Sequence, residues 1–383
     1  MSVVIVGGSL SGLTFALACA SRGIRTMVLE RSGPRQRRGG TLGINRSVLM
    51  EAIRQQARAS DHVFPVTAGR RRALAWQELY SWLRAEALSK DEITLEEETA
   101  VTNIVENPEG VAVLGSDGRR FHAHVIIGAD GYRSLVRRRI NPEQPAAVYA
   151  GYVLWRGLVP SEDLPTAALP RDHEEAALVN EAGCRLVAYP VAGPNGLLTR
   201  GQRWLSFTWY DAGRDDLLRE TGCIDSSGSV LRSLGAERIP EIVSEELRGL
   251  AHRIWPEPWR TVIVHAIEQR RVFATPAAEY LPPHLCRGRL AIVGDAAHVV
   301  SPVTGKGFQS GIGDAVALAE CLAQCADGSG RSVSAALAAY EERRLPEVHS
   351  LVTASQQWSR GFVERWTAAP KDRRIAEAQN SKK

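Results

Sequence analysis

Short apolar runs rich in β-branched residues open the chain and enclose a longer amphipathic stretch. Residues 2–6 have the composition of a buried parallel strand, residues 13–22 follow as a helix ended by Gly23, and residues 26–29 form a second strand. The same pattern predicts helices over residues 45–59 and 73–88, two strands within residues 92–114, and a strand over residues 122–127. We therefore expect an α/β fold that begins with a Rossmann-like βαβ unit.

The middle of the chain changes to runs typical of antiparallel sheet. The predicted strands cover residues 152–155, 184–191, 204–210 and 262–266, and a helical pair over about 239–253 interrupts them. The pattern then returns to a buried strand over residues 289–293, and long helices follow over residues 312–325 and 333–353. The chain therefore combines an α/β part with an inserted antiparallel sheet and C-terminal helices.

Composition and charge exclude several functional classes. The 383 residues carry 47 basic and 43 acidic side chains, a net charge of +4 that is too balanced to indicate nucleic-acid binding. The six cysteines show neither zinc-ligand spacing nor a disulfide framework, so we expect no metal and a reducing cytoplasm. No run of eighteen apolar residues and no charged leader occurs, so neither a membrane span nor a signal peptide is expected.

The first turn of the chain carries a dinucleotide-binding pattern. Gly7-Gly8-Ser9-Leu10-Ser11-Gly12 joins the first strand to the first helix, and Glu30 follows the second strand. Gly7 permits a tight turn, Gly12 lets the helix approach the strand, and the helix N-terminus offers N–H groups to a pyrophosphate. Glu30 is placed to accept hydrogen bonds from a ribose. Ser9 stands where the usual pattern has its middle glycine. The motif by itself does not distinguish FAD from NAD(P).

Two further turns follow predicted buried strands. Asp130-Gly131 lies in the segment Gly128–Arg137, and Asp295 follows Gly294 directly. Ligands of open α/β sheets gather at the carboxyl ends of parallel strands, where Asp295 is expected to lie. Asp130-Gly131 by itself is also compatible with an ordinary turn. The arginine runs 35–38, 70–72 and 137–139 are interpreted either as solvated surface or as contacts to cofactor phosphates.

Taken in order, the three segments resemble the class A, single-component flavoprotein aromatic hydroxylases, the para-hydroxybenzoate hydroxylase-like family. The third segment continues past His298 into Pro302 and then Gly305–Gln309, and residues 151–157 resemble the subgroup around 2,6-dihydroxypyridine 3-monooxygenase. The resemblance implies FAD as cofactor and NADPH or NADH as co-substrate. The implied FAD-binding residues are Gly7, Gly8, Ser9, Ser11, Gly12, Glu30, Arg31, Gly43, Trp76, Asp130, Gly131, Arg133, Asp295, Pro302, Gly305, Lys306, Gly307, Phe308 and Gln309. Gln309 replaces the family's usual asparagine, and Trp76 stands where the family often has an arginine.

The resemblance also implies a division of the chain. Residues 1–70, 90–145 and 275–330 are expected to form a discontinuous FAD-binding domain, and residues 71–89 with 146–274 a substrate-binding domain. Residues 331–369 are expected to form a C-terminal helical region, and the polar residues 370–383 a disordered tail.

The implied reaction is hydroxylation of a small or medium electron-rich aromatic or heteroaromatic ring with O2, through a flavin C4a-hydroperoxide. A hydroxylated ring becomes a better nucleophile when its hydroxyl is deprotonated, so the site should favour an anion. The candidate catalytic residues are Arg156, Tyr189, Tyr210 and His298. Arg156 either anchors an anionic substrate or is paired structurally, the tyrosines are either phenol donors or core residues, and His298 lies either near the flavin or at a structural helix end.

Two other classes stay open at the level of the sequence. One keeps the scaffold but carries out epoxidation, reduction or halogenation, although the Trp-x-Trp-x-Ile signature of flavin halogenases does not occur. The other is a non-catalytic FAD-binding protein. The sequence also leaves open whether the chain forms a homodimer, which substrate it takes, and whether NADH or NADPH is preferred.

Overall fold

The computed structural model describes residues 1–33, 40–53, 64–65, 73–107, 110–166, 169–170, 177–182, 184–193, 196–326 and 332–367. Three predictions fall partly or wholly outside these residues. They are the continuation of the helix beyond residue 53, the arginine runs 35–38 and 70–72, and the tail 370–383.

A six-stranded, mostly parallel sheet forms the first part of the molecule. Its strands are β1 (Val3–Val6), β2 (Thr26–Leu29), β5 (Ile93–Glu96), β9 (Val125–Gly128), β15 (Cys286–Arg287) and β16 (Leu290–Ile292), in the spatial order β15-β16-β9-β1-β2-β5. Only β15 runs antiparallel to its neighbour within this sheet. The central strands β1 and β9 are buried along their whole length, as their apolar composition predicts.

Helices cover this sheet and build one core with it. They are α1 (Leu10–Ala20), α2 (Arg46–Ala52), α3 (Trp76–Leu88), α4 (Leu135–Ile140) and α8 (Gly307–Ala326). Two smaller sheets accompany them: β3 (Thr41–Gly43) with β4 (Ala73–Ala75), and β6 (Val101–Asn107), β7 (Gly110–Gly115) and β8 (Arg120–Ala123). The expected α/β fold is confirmed in this part, although the helix predicted from residue 73 begins at Trp76.

A five-stranded antiparallel sheet forms the second part. Its strands are β10 (Val148–Pro160), β11 (Ala177–Glu181), β12 (Cys184–Val191), β13 (Trp204–Ala212) and β14 (Val272–Glu279), in the order β11-β12-β13-β10-β14. One face packs against α6 (Glu241–Ile254) and α7 (Trp259–Glu268), and the short helix α5 (Asp215–Glu220) follows β13. The second face is lined by polar and aromatic side chains, among them Arg156, Tyr152 and Tyr210.

Residues 262–266 were expected to form a strand, and this prediction is wrong. They lie within α7, whose buried positions Val262, Ile263, Ala266 and Ile267 follow a helical spacing. The β-branched run favours a strand locally, but packing against the sheet selects the helix. Two strands of this sheet, β11 and β14, were not predicted from the sequence. The strand β14 tolerates Pro276 because it lies at the edge of the sheet.

The helix α9 (Val333–Thr367) extends the predicted C-terminal helix by more than three turns. It packs on α8 with its first half, and its second half places Trp358, Phe362 and Trp366 near the polar face of the antiparallel sheet. Among the described helices, none has the combination of length and apolarity that a membrane span requires.

Candidate active site

Backbone contacts shape the turn between β1 and α1 and leave no space for side chains. Gly7 has a φ of +102°, and a Cβ there would lie 2.5 Å from the carbonyl oxygen of Ala129. A Cβ on Gly12 would lie 2.0 Å from the carbonyl oxygen of Gly7. Ser9 is the N-cap residue of α1, but its hydroxyl makes no capping hydrogen bond. The start of α1 therefore keeps the open N–H groups that bind phosphate in other dinucleotide sites.

Glu30, which follows β2, contacts the turn between β1 and α1. Its carboxylate accepts hydrogen bonds from the backbone N–H groups of Gly8, at 2.8 Å, and Ser32, also at 2.8 Å. Glu30 is buried, whereas the neighbouring Arg31 is exposed. The acid is therefore held rigidly beside Gly8, as a ribose-binding acid should be.

The second and third turns meet the first one in space. A Cβ on Gly7 would lie 2.9 Å from the Cα atom of Asp130, so the Asp130 backbone is in direct contact with the first turn. Ser11 approaches so closely that a Cβ on Gly294 would lie 2.2 Å from its hydroxyl oxygen, and one on Gly311 would lie 3.0 Å from it. Three segments separated by more than a hundred residues each therefore form one wall.

Asp130 has one satisfied and one unsatisfied carboxylate oxygen. Its Oδ2 accepts a hydrogen bond of 2.6 Å from the backbone N–H of Leu135, while its Oδ1 is buried and has no hydrogen-bond partner. Burial raises the pKa of this carboxyl group, and nearby hydrogen bonds oppose that rise. Gly131 follows with a φ of +77° and begins a short 3-10 helix, Gly131–Arg133, in which Arg133 is exposed and bonds the carbonyl of Leu231.

Arg137 joins the second turn to the third. It is fully buried, and its guanidinium donates to backbone carbonyl oxygens, among them those of Tyr132, Pro145 and Asp295. The guanidinium also lies 4.3 Å from the ring centroid of Tyr280. In contrast, its neighbours Arg138 and Arg139 are exposed, so the arginine run serves two purposes.

Asp295 lies in a recess. Its side chain is exposed to solvent, yet protein surrounds it closely enough that burial raises the pKa of its carboxyl group, while His298, Arg137 and Arg156 favour the charged form. Gly294 has a φ of +60°, which allows the backbone to turn directly after β16. A carboxylate that is accessible but poorly hydrated is well suited to accept hydrogen bonds from ligand hydroxyls.

Asp314, on α8, holds the backbone on both sides of Asp295 in place through Gly294 and His298. Its carboxylate accepts hydrogen bonds from Gly294 N (2.9 Å), His298 Nε2 (2.8 Å) and Arg344 Nε (2.9 Å). Burial opposes the charge on Asp314, but His298 and Arg344 outweigh it and hold the pKa of this carboxyl below its usual range. His298 is fully buried and bonded to Asp314, so in this structure it positions the Gly294 turn and is closed to solvent.

The segment before α8 forms an exposed rim. Pro302 begins a short 3-10 helix, Pro302–Thr304, and Gly305 ends it with a φ of +61°. Lys306 and Gln309 are exposed, Phe308 is half-buried against the α/β core, and Gly307 is the first residue of α8. The N-terminal part of this 20-residue helix lies next to the third glycine turn, since a Cβ on Gly311 would lie 3.4 Å from the Cα atom of Gly294.

Two more predicted cofactor residues lie around residues 40–43. Gly43 is exposed in β3, opposite Ala73. Trp76 donates its backbone N–H to the carbonyl of Gly40 at 2.9 Å, and its ring stacks on that of Tyr80 with 5.1 Å between the centroids. Gly40 in turn approaches the guanidinium of Arg156, because a Cβ on it would lie 3.8 Å from Arg156.

The three remaining catalytic candidates share the polar face of the antiparallel sheet. Arg156 on β10 pairs with Thr208 on β13, Tyr210 pairs with Leu154 and Arg185, and Tyr189 on β12 pairs with Ser206. Alternation along the strands therefore places Arg156, Tyr189 and Tyr210 on one face, opposite the face packed on α6 and α7. The hydroxyl of Tyr189 contacts Thr41 of β3, so this face lies against residues 40–43.

Two of the four candidates have a buried polar atom without a hydrogen-bond partner, Arg156 at Nε and His298 at Nδ1, and of these two only Arg156 lies on the polar sheet face. Its Nε is buried without a hydrogen-bond partner, and in the described part of the chain no carboxylate forms an ion pair with it. Burial lowers the pKa of the Arg156 guanidinium, and the nearby Tyr210, Tyr189 and Asp295 oppose that shift. Burial also raises the pKa of Tyr210 to about 12, so its phenol stays protonated at neutral pH.

Sequence reasoning did not assign Asp314, Arg344 and Arg137 to the site. The signal for Asp314 is an acid within the apolar helix 312–325, which carries only one further acid, Glu320, since an acid is rarely buried without a partner. The partners Arg344 and His298 lie 30 and 16 residues away, so only the fold brings them together. In the described ranges no three His, Cys, Asp or Glu side chains form a metal site.

The chain is similar to known FAD-binding proteins. Residues 237–355 match the family described as FAD binding domain, and residues 149–274 match the one described as FAD binding domain-like. The chain is 26% identical to 3-hydroxybenzoate 6-hydroxylase of Klebsiella oxytoca over 392 residues, which covers 94% of this chain and 89% of that protein. It is also 26% identical to 2,6-dihydroxypyridine 3-monooxygenase of Paenarthrobacter nicotinovorans, with 91% and 88% covered.

Solved structures share the fold over nearly the whole chain. The 2,6-dihydroxypyridine-3-hydroxylase from Arthrobacter nicotinovorans superimposes with a TM-score of 0.72 at 22% identity, covering 94% of this chain and 91% of that one. A Klebsiella pneumoniae protein solved with FAD and uric acid superimposes with a TM-score of 0.68 at 20% identity, covering 99% and 95%. The expected α/β fold with an inserted antiparallel sheet and C-terminal helices is thereby confirmed.

Proposed function

We propose that this chain, which belongs to the FAD-dependent aromatic hydroxylases, adds one oxygen atom of O2 to an electron-rich aromatic or heteroaromatic ring that carries an anionic group, at the expense of NAD(P)H. Its membership in these monooxygenases rests on the matched families and relatives. The observation that carries the proposal about this chain's own substrate is the buried and unsatisfied Nε of Arg156 on the polar sheet face.

The residues around the three turns fit FAD. The glycines at 7 and 12 leave a bare backbone at the start of α1, which suits a pyrophosphate, and Glu30 suits a ribose. The unsatisfied Oδ1 of Asp130 and the exposed carboxylate of Asp295 offer acceptors to further cofactor hydroxyls. The open N-terminus of α8, after Gly305, would face the flavin edge. When bound, FAD supplies the oxygen-activating chemistry of the family.

Arg156 would hold the substrate through a charge. A buried guanidinium without a carboxylate partner is costly, and the cost disappears when an anion binds it. Tyr210 lies on the same face, and its pKa of about 12 keeps it a hydrogen-bond donor at neutral pH. Together they would bind a carboxylate or phenolate, orient the ring, and favour the deprotonated and more nucleophilic form of a hydroxylated substrate. Tyr189 would define the side of the face next to residues 40–43.

We also propose the division into a discontinuous FAD-binding unit and an inserted substrate unit. The parallel sheet and its helices share one core, and the antiparallel sheet shares another with α6 and α7. The proposed location is a reducing cytoplasm, because none of the six cysteines, all of which lie in the described part of the chain, forms a disulfide.

The test is turnover by the purified holoprotein with a panel of hydroxylated and carboxylated aromatics. We expect substrate-stimulated NAD(P)H loss, oxygen uptake and a product one oxygen atom heavier than the substrate. Turnover without oxygen gain would instead support a reductase, and no turnover over a wide panel would support a non-catalytic flavoprotein.

Substitution of Arg156 by Met tests the anchor, because it keeps the aliphatic stem and removes the charge. We expect KM for an anionic substrate to rise about 10- to 100-fold, the equivalent of one charged hydrogen bond, while FAD content stays normal. The matched control is Arg271→Met, since Arg271 is exposed and paired with Asp163 away from this face. Equal KM values for the two variants would show that Arg156 does not bind the substrate.

A further inference from the structure

A buried chain of hydrogen bonds connects the C-terminal helix to the segment before α8. The backbone N–H of Ser301 donates to the hydroxyl oxygen of Ser355 on α9 at 2.7 Å. The Ser355 hydroxyl donates in turn to Oε1 of Glu279 on β14 at 2.6 Å. Ser301, Ser355 and Glu279 are all buried. We refer to these three residues as the Ser301 chain.

The directions of these hydrogen bonds require, at position 355, a side chain that donates to Glu279 and accepts from Ser301. A serine hydroxyl has one proton, and in Ser355 that proton is given to Glu279, so a lone pair is oriented toward the Ser301 N–H. The carboxylate of Glu279 accepts a second hydrogen bond of 2.9 Å from Ser359, one turn further along α9. Burial raises the pKa of Glu279, and the hydrogen bonds from the two serines together with Arg360 oppose that rise by favouring the charged form of the carboxyl group.

Ser301 also contacts the substrate face. Its hydroxyl accepts a hydrogen bond of 2.5 Å from the Tyr152 hydroxyl, and Tyr152 lies 6.0 Å from Tyr210 in a stacked arrangement. Tyr152 and Tyr210 both contact Trp358 and Phe362 of α9. One residue therefore lies between the polar sheet face, the C-terminal helix and the segment that leads to α8.

Ser301 sets the start of that segment. Its hydroxyl caps the short 3-10 helix by accepting from Val303 N at 3.3 Å, and its carbonyl accepts from the Thr304 hydroxyl at 2.9 Å. The segment then turns at Gly305 and enters α8 at Gly307. A shift of Ser301 would therefore also shift the backbone N–H groups at the start of α8. Groups that bind a ligand must be held in place to within a fraction of an ångström.

We propose that Ser355 is a positioning residue, through which α9 fixes residues 301–307 at the flavin edge and so makes the C-terminal helix part of the oxygen-reacting site. The effect of Ser355 on the reaction rests on the proposed function, whereas its effect on the placement of residues 301–307 does not. Ser355 is buried and bonded to Ser301 and Glu279, so it would act on the site through Ser301.

The test compares Ser355→Ala with Ser359→Ala in the full-length protein. Both changes remove a buried serine hydroxyl from α9 and one hydrogen bond from Glu279, but of these two serines only Ser355 is hydrogen-bonded directly to Ser301 in the described part of the chain. In the cofactor-free protein, we expect hydrogen exchange of the peptide covering residues 301–307 to quicken about tenfold in Ser355→Ala and to change less than about twofold in Ser359→Ala. Ser355→Thr, which keeps the hydroxyl, should restore slow exchange.

With FAD and a turned-over substrate, Ser355→Ala should shift the visible spectrum of the bound flavin and release more hydrogen peroxide per NAD(P)H than Ser359→Ala, at similar unfolding temperatures. Equal exchange in the two variants would overturn the inference. Faster exchange with an unchanged flavin spectrum would also overturn it. If no substrate is ever turned over, the exchange and the flavin spectrum still decide the inference, while the proposed function fails separately.

Discussion

At the scale of single residues, the site contains two kinds of buried charge. Asp314 is bonded by a backbone N–H, a histidine and an arginine, and therefore contributes to the stability of the recess. Arg156 Nε and Asp130 Oδ1 are buried without partners, which costs stability in the cofactor-free protein. The satisfied groups of Asp314 stabilise the recess, and we predict that Arg156 Nε and Asp130 Oδ1 gain partners when a ligand binds.

Asp314→Asn should destabilise the protein by about 3–5 kcal/mol at neutral pH, as expected when one member of a buried ion pair is removed. Because the folded-state pKa of Asp314 lies below the unfolded value, its contribution is present at neutral pH and is lost as the pH falls through the folded pKa. Thermal unfolding measured across pH checks this. The difference in free energy of unfolding between the wild type and Asp314→Asn should stay constant at neutral and weakly acidic pH and should decrease below about pH 4.

Glu320→Gln is the matched control for that measurement. Glu320 lies on the same helix, its pKa is also lowered by arginines, but it is partly exposed and bonds Arg343 at 2.7 Å. Removal of its charge should cost no more than about 1 kcal/mol. An equal loss in the two variants would mean that the hydrogen bonds of Asp314 contribute no more than a surface pair.

At the scale of elements, the long helix α9 performs two tasks in its 35 residues. Its first half packs on α8, where Arg344 reaches Asp314, and its second half closes the polar sheet face with aromatic rings. The second half approaches the sheet closely, since a Cβ on Gly151, at a φ of +87°, would lie 2.9 Å from a methyl group of Val363. The approach of β10 to α9 therefore requires a glycine on the strand.

A pair of glycine substitutions tests this packing. Gly361 of α9 has open space around its Cα, so Gly361→Ala should stabilise the protein by about 0.5–1 kcal/mol through a better helix propensity. Gly151→Ala should instead destabilise it, because of both the positive φ and the contact with Val363. Urea unfolding measures both, and a destabilised Gly361→Ala variant would indicate that α9 is packed more closely at this position than the structure shows.

At the scale of the whole molecule, residues near positions 7, 130 and 294 form one wall although they are far apart in the chain. A ligand that bridges all three is bound by the folded protein and not by the unfolded chain. Its binding free energy therefore adds to the stability of the complete α/β part.

Saturating FAD should therefore raise the unfolding temperature of the cofactor-free protein. At a hundredfold excess of FAD over its Kd, the free energy of unfolding should increase by about 2.7 kcal/mol. Gly12→Ala should abolish this rise, because its Cβ would lie 2.0 Å from the Gly7 carbonyl oxygen and displace the turn. Differential scanning fluorimetry with and without FAD measures both proteins. A wild-type protein that stays colourless and gains no stability from FAD would contradict the proposed function itself.

The sequence by itself determined the order of elements around the parallel sheet and the identity of the three glycine turns. These features depend on short-range chemistry: β-branched runs form buried strands, glycines allow close backbone contacts, and helix starts offer N–H groups. The family resemblance rested on the same local motifs and was confirmed by the relatives. The sequence also marked Arg156 as a candidate, because an arginine within an apolar strand requires an explanation.

The tertiary structure decided those elements and side-chain contacts that depend on residues far apart in the sequence. The run 262–266 is a helix because its buried face packs on the antiparallel sheet, and local β-branching cannot reveal that neighbour. His298 is closed off because Asp314 and Arg344 arrive from two other helices, and the Ser301 chain joins residues up to 76 positions apart. Pairings of this kind follow from how helices and sheets pack, and local sequence patterns carry no record of them.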